Sequence, residues 1–141
     1  MSIYEDRINR NFLSKEEMDA LKPHILIVDD NAMVLRNIKG ILKDDFSVSV
    51  ASSGNQAFRS ISFRRPDLIL LDYEMPEMNG KEVMEKILED DEMKDIPIVF
   101  LTSLDSKQRV MEILALKPAG YILKPPDAAA LTNKIREILR Y

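Results

Sequence analysis

Between residues 24 and 140, short apolar runs alternate five times with segments whose apolar residues recur at helical spacing. The runs are "HILIV" (24–28), "FSVSV" (46–50), "LILL" (68–71), "IVFL" (98–101) and "YIL" (121–123). The segments are "NAMVLRNIKGILKD" (31–44), "GNQAFRSISF" (54–63), "GKEVMEKILED" (80–90), "SKQRVMEILAL" (106–116) and "AAALTNKIREILR" (128–140). Val34, Leu35, Ile38, Ile41 and Leu42 share a face of the first segment, and Leu131, Ile135, Ile138 and Leu139 one of the last. Strands separated by helices pair in parallel through right-handed crossovers. Strands that are apolar throughout are covered on both faces. "SVSV" alternates instead, which predicts a sheet edge. The pattern therefore predicts an α/β fold, a doubly wound five-stranded parallel (βα)5 sheet in the flavodoxin-like order 2-1-3-4-5. Gly40 inside a helical segment costs about 1 kcal/mol relative to Ala, which points to close packing there or to a weak turn.

Residues 1–22 lie outside the alternation and read as an N-terminal extension or linker; residues 23–141 read as one folded unit. In "SKEEMDAL" (14–21), Ser14 and Glu17 have capping-box spacing, so a short helix is expected before Pro23. A chain of 141 residues suits one domain with a full core. The longest apolar runs have about four residues, far short of a membrane span. The early acids of the N-terminus argue against a secretory signal, so a cytoplasmic location is expected. Without cysteine, and with His24 the sole histidine, disulfides, thiolate zinc sites and multi-histidine metal sites are excluded. A net charge of −4 with dispersed Lys and Arg gives no footprint for direct nucleic-acid binding.

In a doubly wound sheet, ligands bind beyond the carboxyl ends of the strands. Asp29 and Asp30 follow the first strand, Asp72 the third, Thr102 and Ser103 the fourth, and Lys124-Pro125-Pro126 the fifth. Strands 1 and 3 are neighbours in the expected order, about 4.8 Å apart, so the three acids converge. Clustered carboxylates repel one another and call for a cation. Hard oxygen ligands of this kind suit Mg²⁺, or Mn²⁺. A lysine and a hydroxyl opposite them bind phosphoryl oxygens. The set makes a phosphoryl-transfer site.

"IVDDN", "LLDYEMPEMNG", "FLTS" and "YILKP" together resemble the receiver domain of two-component response regulators, in the family's order and spacing over about residues 24–140. The resemblance implies a receiver domain over residues 23–141 that accepts a phosphoryl group on Asp72 from a sensor histidine kinase or phosphotransfer protein. It implies that Asp30 is the principal metal-binding acid and that Asp29 acts mainly through water. Asp72 itself and the backbone carbonyl of Glu74 complete the metal site. Thr102 corresponds to the switch hydroxyl and Tyr121 to the aromatic that follows it inward. Lys124 pairs with Asp72 or its phosphoryl group, and Lys124-Pro125 is expected to be cis. The surface of helix 106–116, strand 121–123 and helix 128–140 then changes shape, to be read by a downstream effector or by a second copy in a homodimer. Such a chain is a phosphoacceptor that supports its own phosphorylation and dephosphorylation, not an enzyme.

Simpler readings stand beside these. Asp30 alone reads as a helix cap, Asn31 caps the first helix, and a lone Thr102 is turn chemistry. Tyr121 is either core packing or a switch. His24 reads as an ordinary opening residue of a strand, and "EDDEMKD" (89–95) as a solvated helix end. The rival functions are a Mg²⁺-dependent aspartyl-phosphate hydrolase and a phosphorylation-independent docking module. The hydrolases carry their nucleophile after the first strand in a D-x-D pattern. Three features depart from the family: Glu74 beside the acceptor, the apolar Leu104 two residues after Thr102, and "LKPAGY" (116–121) before the fifth strand. The first two positions affect water access to an acyl phosphate. No effector domain follows Tyr141, which leaves open a stand-alone receiver, a relay intermediate or part of a larger regulator or hybrid kinase.

Overall fold

The computed structural model describes residues 13–103 and 106–141. A short helix, α1 (Lys15–Leu21), precedes the alternating units: β1 (His24–Val28), α2 (Ala32–Leu42), β2 (Ser47–Ala51), α3 (Gly54–Phe63), β3 (Leu68–Asp72), α4 (Gly80–Leu88), β4 (Ile98–Thr102), α5 (Lys107–Ala115), β5 (Gly120–Leu123) and α6 (Ala128–Leu139). The five strands form one parallel sheet in the order β2-β1-β3-β4-β5, the predicted topology. Strand β2, with its alternating serines, lies at an edge. Strands β1, β3 and β4 are buried at every position, as continuous apolar strands require.

Alternation along each strand feeds two cores. Leu26, Val28, Ile69, Leu71, Ile98 and Phe100 pack on one face with Ala57 and Ile61 of α3, Val83, Met84 and Ile87 of α4, and Ile113 of α5. Ile25, Ile27, Leu68, Leu70, Val99 and Leu101 pack on the other with Leu35, Ile38 and Leu42 of α2, and Leu131 and Ile135 of α6. Helix α1 buries none of its residues, and Ser14 caps it by accepting from the Glu17 N–H at 3.1 Å.

Every helix that follows a strand starts on a polar cap: Asn31, Ser53, Asn79, Ser106 and Asp127 each accept from a backbone N–H of the first turn. Asn79 and Glu82 close a full capping box on α4. Immediately after the Asn79 cap, the helix start meets the end of β3. A Cβ on Gly80 would lie 2.4 Å from the Asp72 carbonyl oxygen and 2.9 Å from the Tyr73 Cα, so only glycine lets α4 start there. The Gly80 N–H donates to the Tyr73 carbonyl at 2.9 Å, fixing that approach. Gly40 is different. It faces solvent, with no atom within 4 Å of where its Cβ would be, so packing within the chain does not account for it.

Candidate functional site

The register brings the strand ends level: Val28 pairs with Leu71, Asp72 with Leu101, and Thr102 with Leu123. The residues just beyond those ends therefore share one edge of the sheet. Asp29 is wholly buried and accepts from the Asn31 N–H through Oδ1 at 2.9 Å. Asp72 is buried and accepts from the Glu74 N–H at 3.3 Å. Asp30 is exposed, yet one oxygen from each of Asp29, Asp30 and Asp72 falls within 4.8 Å of the others. Lys124 reaches across from the end of β5. Its Nζ lies 2.5 Å from Asp29 Oδ2 and 3.1 Å from Asp72 Oδ1. Its backbone N–H donates to the Thr102 carbonyl at 2.8 Å, and the Lys124–Pro125 peptide is cis. Thr102 is buried at the end of the strand beside β3.

Charge is out of balance here. Burial, then the neighbouring Asp29 carboxylate, push the Asp72 carboxyl up to about 6, against the opposing pull of Lys124. Burial works against the Lys124 ammonium, but hydrogen bonds to Asp29 and Asp72 outweigh it and raise its pKa. One ammonium cannot neutralise three clustered acids. The donor set is all hard oxygen, with one acid open to solvent, which fits a divalent ion of the Mg²⁺ or Mn²⁺ kind that keeps several waters.

The family resemblance pairs Lys124 with Asp72 or its phosphoryl group, and the contact to Asp72 is present. In the structure the shorter contact is to Asp29, so the lysine bridges two acids. Tyr121 is half-buried and packs against the core on the α3, α4 and α5 side. Leu104 lies outside the described residues. Three contributors escape the sequence reading. Gly80 stands in the quoted motif, but its clash-free approach to Asp72 is a tertiary fact. Tyr73, buried against Phe100 with ring centroids 5.3 Å apart, lies under the Arg109 guanidinium at 5.5 Å. Arg109 also pairs with the Glu74 carboxylate at 2.7 Å. No spacing pattern links residues 74 and 109.

A parallel sheet in this order, with three converging acids and a lysine at its carboxyl edge, defines a flavodoxin-like domain with an acidic, lysine-bridged pocket. The family description "Response regulator receiver domain" matches residues 25–136, and the chain belongs to that family. It is 32% identical over 120 residues to the two-component response regulator ORR5 of Oryza sativa subsp. japonica, covering 84% of this chain and 90% of that protein. It is 36% identical over 135 residues to histidine kinase P4 of Formosa agariphila, which covers 96% of this chain but 10% of the kinase. Among solved structures it resembles the chemotaxis protein CheY4 of Vibrio cholerae, with a TM-score of 0.77 and 26% identity over 83% of this chain and 98% of that one. The domain is thus a phosphorylation-activated switch of two-component signalling, of the kind found in response regulators and in histidine kinases. Receiver domains pair with histidine kinases. No helix among the described residues is long and apolar enough to cross a membrane.

Proposed function

We propose that Asp72 is the phosphoacceptor of this receiver domain. The observation that carries the reading is the Lys124 ammonium bridging Asp29 and Asp72 while Asp30 completes a triad of converging carboxylates. An Asp72 carboxylate oxygen attacks phosphorus of a phosphohistidine on a histidine kinase or phosphotransfer protein. The P–N bond breaks, the imidazole leaves, and an acyl phosphate forms on Asp72. Asp29, Asp30, Asp72 and the Glu74 carbonyl would hold Mg²⁺ or Mn²⁺, which when bound would supply positive charge to offset the phosphoryl oxygens. Lys124 then exchanges its hold on the carboxylate for one on the phosphoryl group, and the Thr102 hydroxyl donates to another phosphoryl oxygen. Tyr121 follows Thr102, and the face made by α5, β5 and α6 changes shape for an effector or a second copy. The domain catalyses its own phosphorylation from small donors and its own dephosphorylation, with no separate substrate turned over. Residues 1–22 act as an extension to a domain that spans 23–141.

The test is labelling by radioactive acetyl phosphate in Mg²⁺. The wild-type chain takes up label, and Asp72→Asn takes up none and binds no beryllofluoride. Label retained by Asp72→Asn rejects the assignment. Steady turnover of a small phosphate ester marks a hydrolase instead. Light scattering with and without beryllofluoride reads out self-association through the α5, β5 and α6 face.

A further inference from the structure

We infer that Arg109 is a positioning residue for phosphoryl uptake, holding the Glu74 carboxylate aside from the acceptor and neutralising its charge. The inference rests on Asp72 being the phosphoacceptor. Glu74 is two residues beyond Asp72, and its backbone N–H already donates to an Asp72 carboxylate oxygen. Two residues of chain span at most about 7 Å, inside a Debye length of about 8 Å at physiological ionic strength. A free carboxylate on so short a tether opposes any phosphodonor, which arrives as an anion. In the structure that carboxylate is not free. Glu74 Oε1 lies 2.7 Å from the Arg109 guanidinium, on the first turn of α5, with Ser106 capping the Arg109 N–H.

Arg109 is itself held by two further groups, Tyr73 and Glu112. Its guanidinium lies over the Tyr73 ring, 5.5 Å from the centroid. Its Nε is 3.8 Å from a Glu112 oxygen, and the same Glu112 oxygen accepts from the Tyr73 hydroxyl at 3.4 Å. Tyr73 is buried between Asp72 and Glu74 in the chain. The guanidinium therefore cannot follow Glu74 toward the pocket; Glu74 must come to it. Half-exposed ion pairs of this sort contribute little stability. This one is built from a fixed cation and a carboxylate adjoining the acceptor, which is the arrangement for steering charge.

The reaction that reads this out is uptake from acetyl phosphate: an Asp72 oxygen bonds to phosphorus, the bond from phosphorus to the acetate oxygen breaks, and acetate leaves. Initial labelling rates are measured for the wild type, Arg109→Ala, and Arg109→Ala combined with Glu74→Gln. Release of the Glu74 charge is expected to slow uptake roughly fivefold at low ionic strength, with the defect shrinking as salt screens it. Removing the Glu74 charge in the double variant is expected to restore the rate to within about twofold of the wild type, although the contacts of Arg109 to Tyr73 and Glu112 remain absent. A wild-type rate in Arg109→Ala overturns the inference. So does a double variant as slow as Arg109→Ala, which would assign the defect to the lost anchoring of α5. A wild-type chain that takes up no label at all rejects the phosphoacceptor reading itself, a different failure.

Discussion

The two ends of the sheet each bury a polar cluster, and they differ in whether the cluster is internally satisfied. At the amino end, His24 is buried between Ser47 and Ser49, with ring nitrogens 3.2 and 3.0 Å from the two hydroxyls. Asp67 accepts from the His24 N–H at 2.7 Å, and Arg64 donates to Ser47 at 3.0 Å. Burial, then the Arg64 charge, keep the imidazole below its ordinary value of 6.5 and so neutral. Every group there has a partner of matching type. At the carboxyl end, three acids face one ammonium, and burial drives Asp72 toward protonation. A buried polar cluster that closes on itself supports the fold. One that leaves negative charge uncompensated invites a cation from outside, and the all-oxygen donor set here suits one.

The largest effect expected on this contrast comes from Gly80. Gly80→Ala drives a methyl into the backbone of Asp72 and Tyr73, and should cost about 3 kcal/mol or more together with most acetyl-phosphate labelling. Urea denaturation and labelling check both. Gly40→Ala, where the space is open, should instead raise stability by up to about 1 kcal/mol.

Next come the opposite pH responses of the two ends in metal-free protein. Asp72 titrates near 6 in the fold and near 3.8 when unfolded, so the folded state holds more protons between those values. Its contribution to stability therefore falls as pH rises from about 4 to 6. His24 titrates lower in the fold than when unfolded, so its contribution falls as pH drops below 6.5. Asp72→Asn should remove the first slope and be more stable than wild type at pH 7 by about 1–3 kcal/mol. His24→Leu should remove only the second. Denaturant midpoints across this pH range, with chelator present, decide it. Equal slopes in the wild type and Asp72→Asn would show that the carboxyl end carries no stored charge penalty.

The smallest effect is that of the cation. Mg²⁺ at about ten times its dissociation constant should stabilise the wild type by about 1.4 kcal/mol. Asp30→Asn should lose most of that gain while staying within about 0.5 kcal/mol of wild type without metal, because Asp30 is exposed. Calorimetric scans with and without Mg²⁺ compare the two.

Much of this fold is legible in the chain because periodicity is local. "LILL" and "IVFL" are buried on both faces because nothing in them alternates, and "SVSV" lies at the edge because it does. Strand order then places Asp29, Asp30, Asp72, Thr102 and Lys124 at one edge without further information. His24 looked like an ordinary strand opening, since its serine partners lie on a neighbouring strand. The Glu74 to Arg109 pair joins residues on separate units, and no window of sequence contains both.

The amino-acid sequence by itself thus determined the five-stranded parallel sheet and which residues end its strands, because hydrophobic spacing dictates both element and face. Only the tertiary structure decided that Asp29 is buried against Lys124 while Asp30 meets solvent, that glycine alone fits at position 80, and that Arg109 holds Glu74. Burial depth, close approach and charge pairing depend on distances between segments remote in the chain, and electrostatic and steric energies follow those distances.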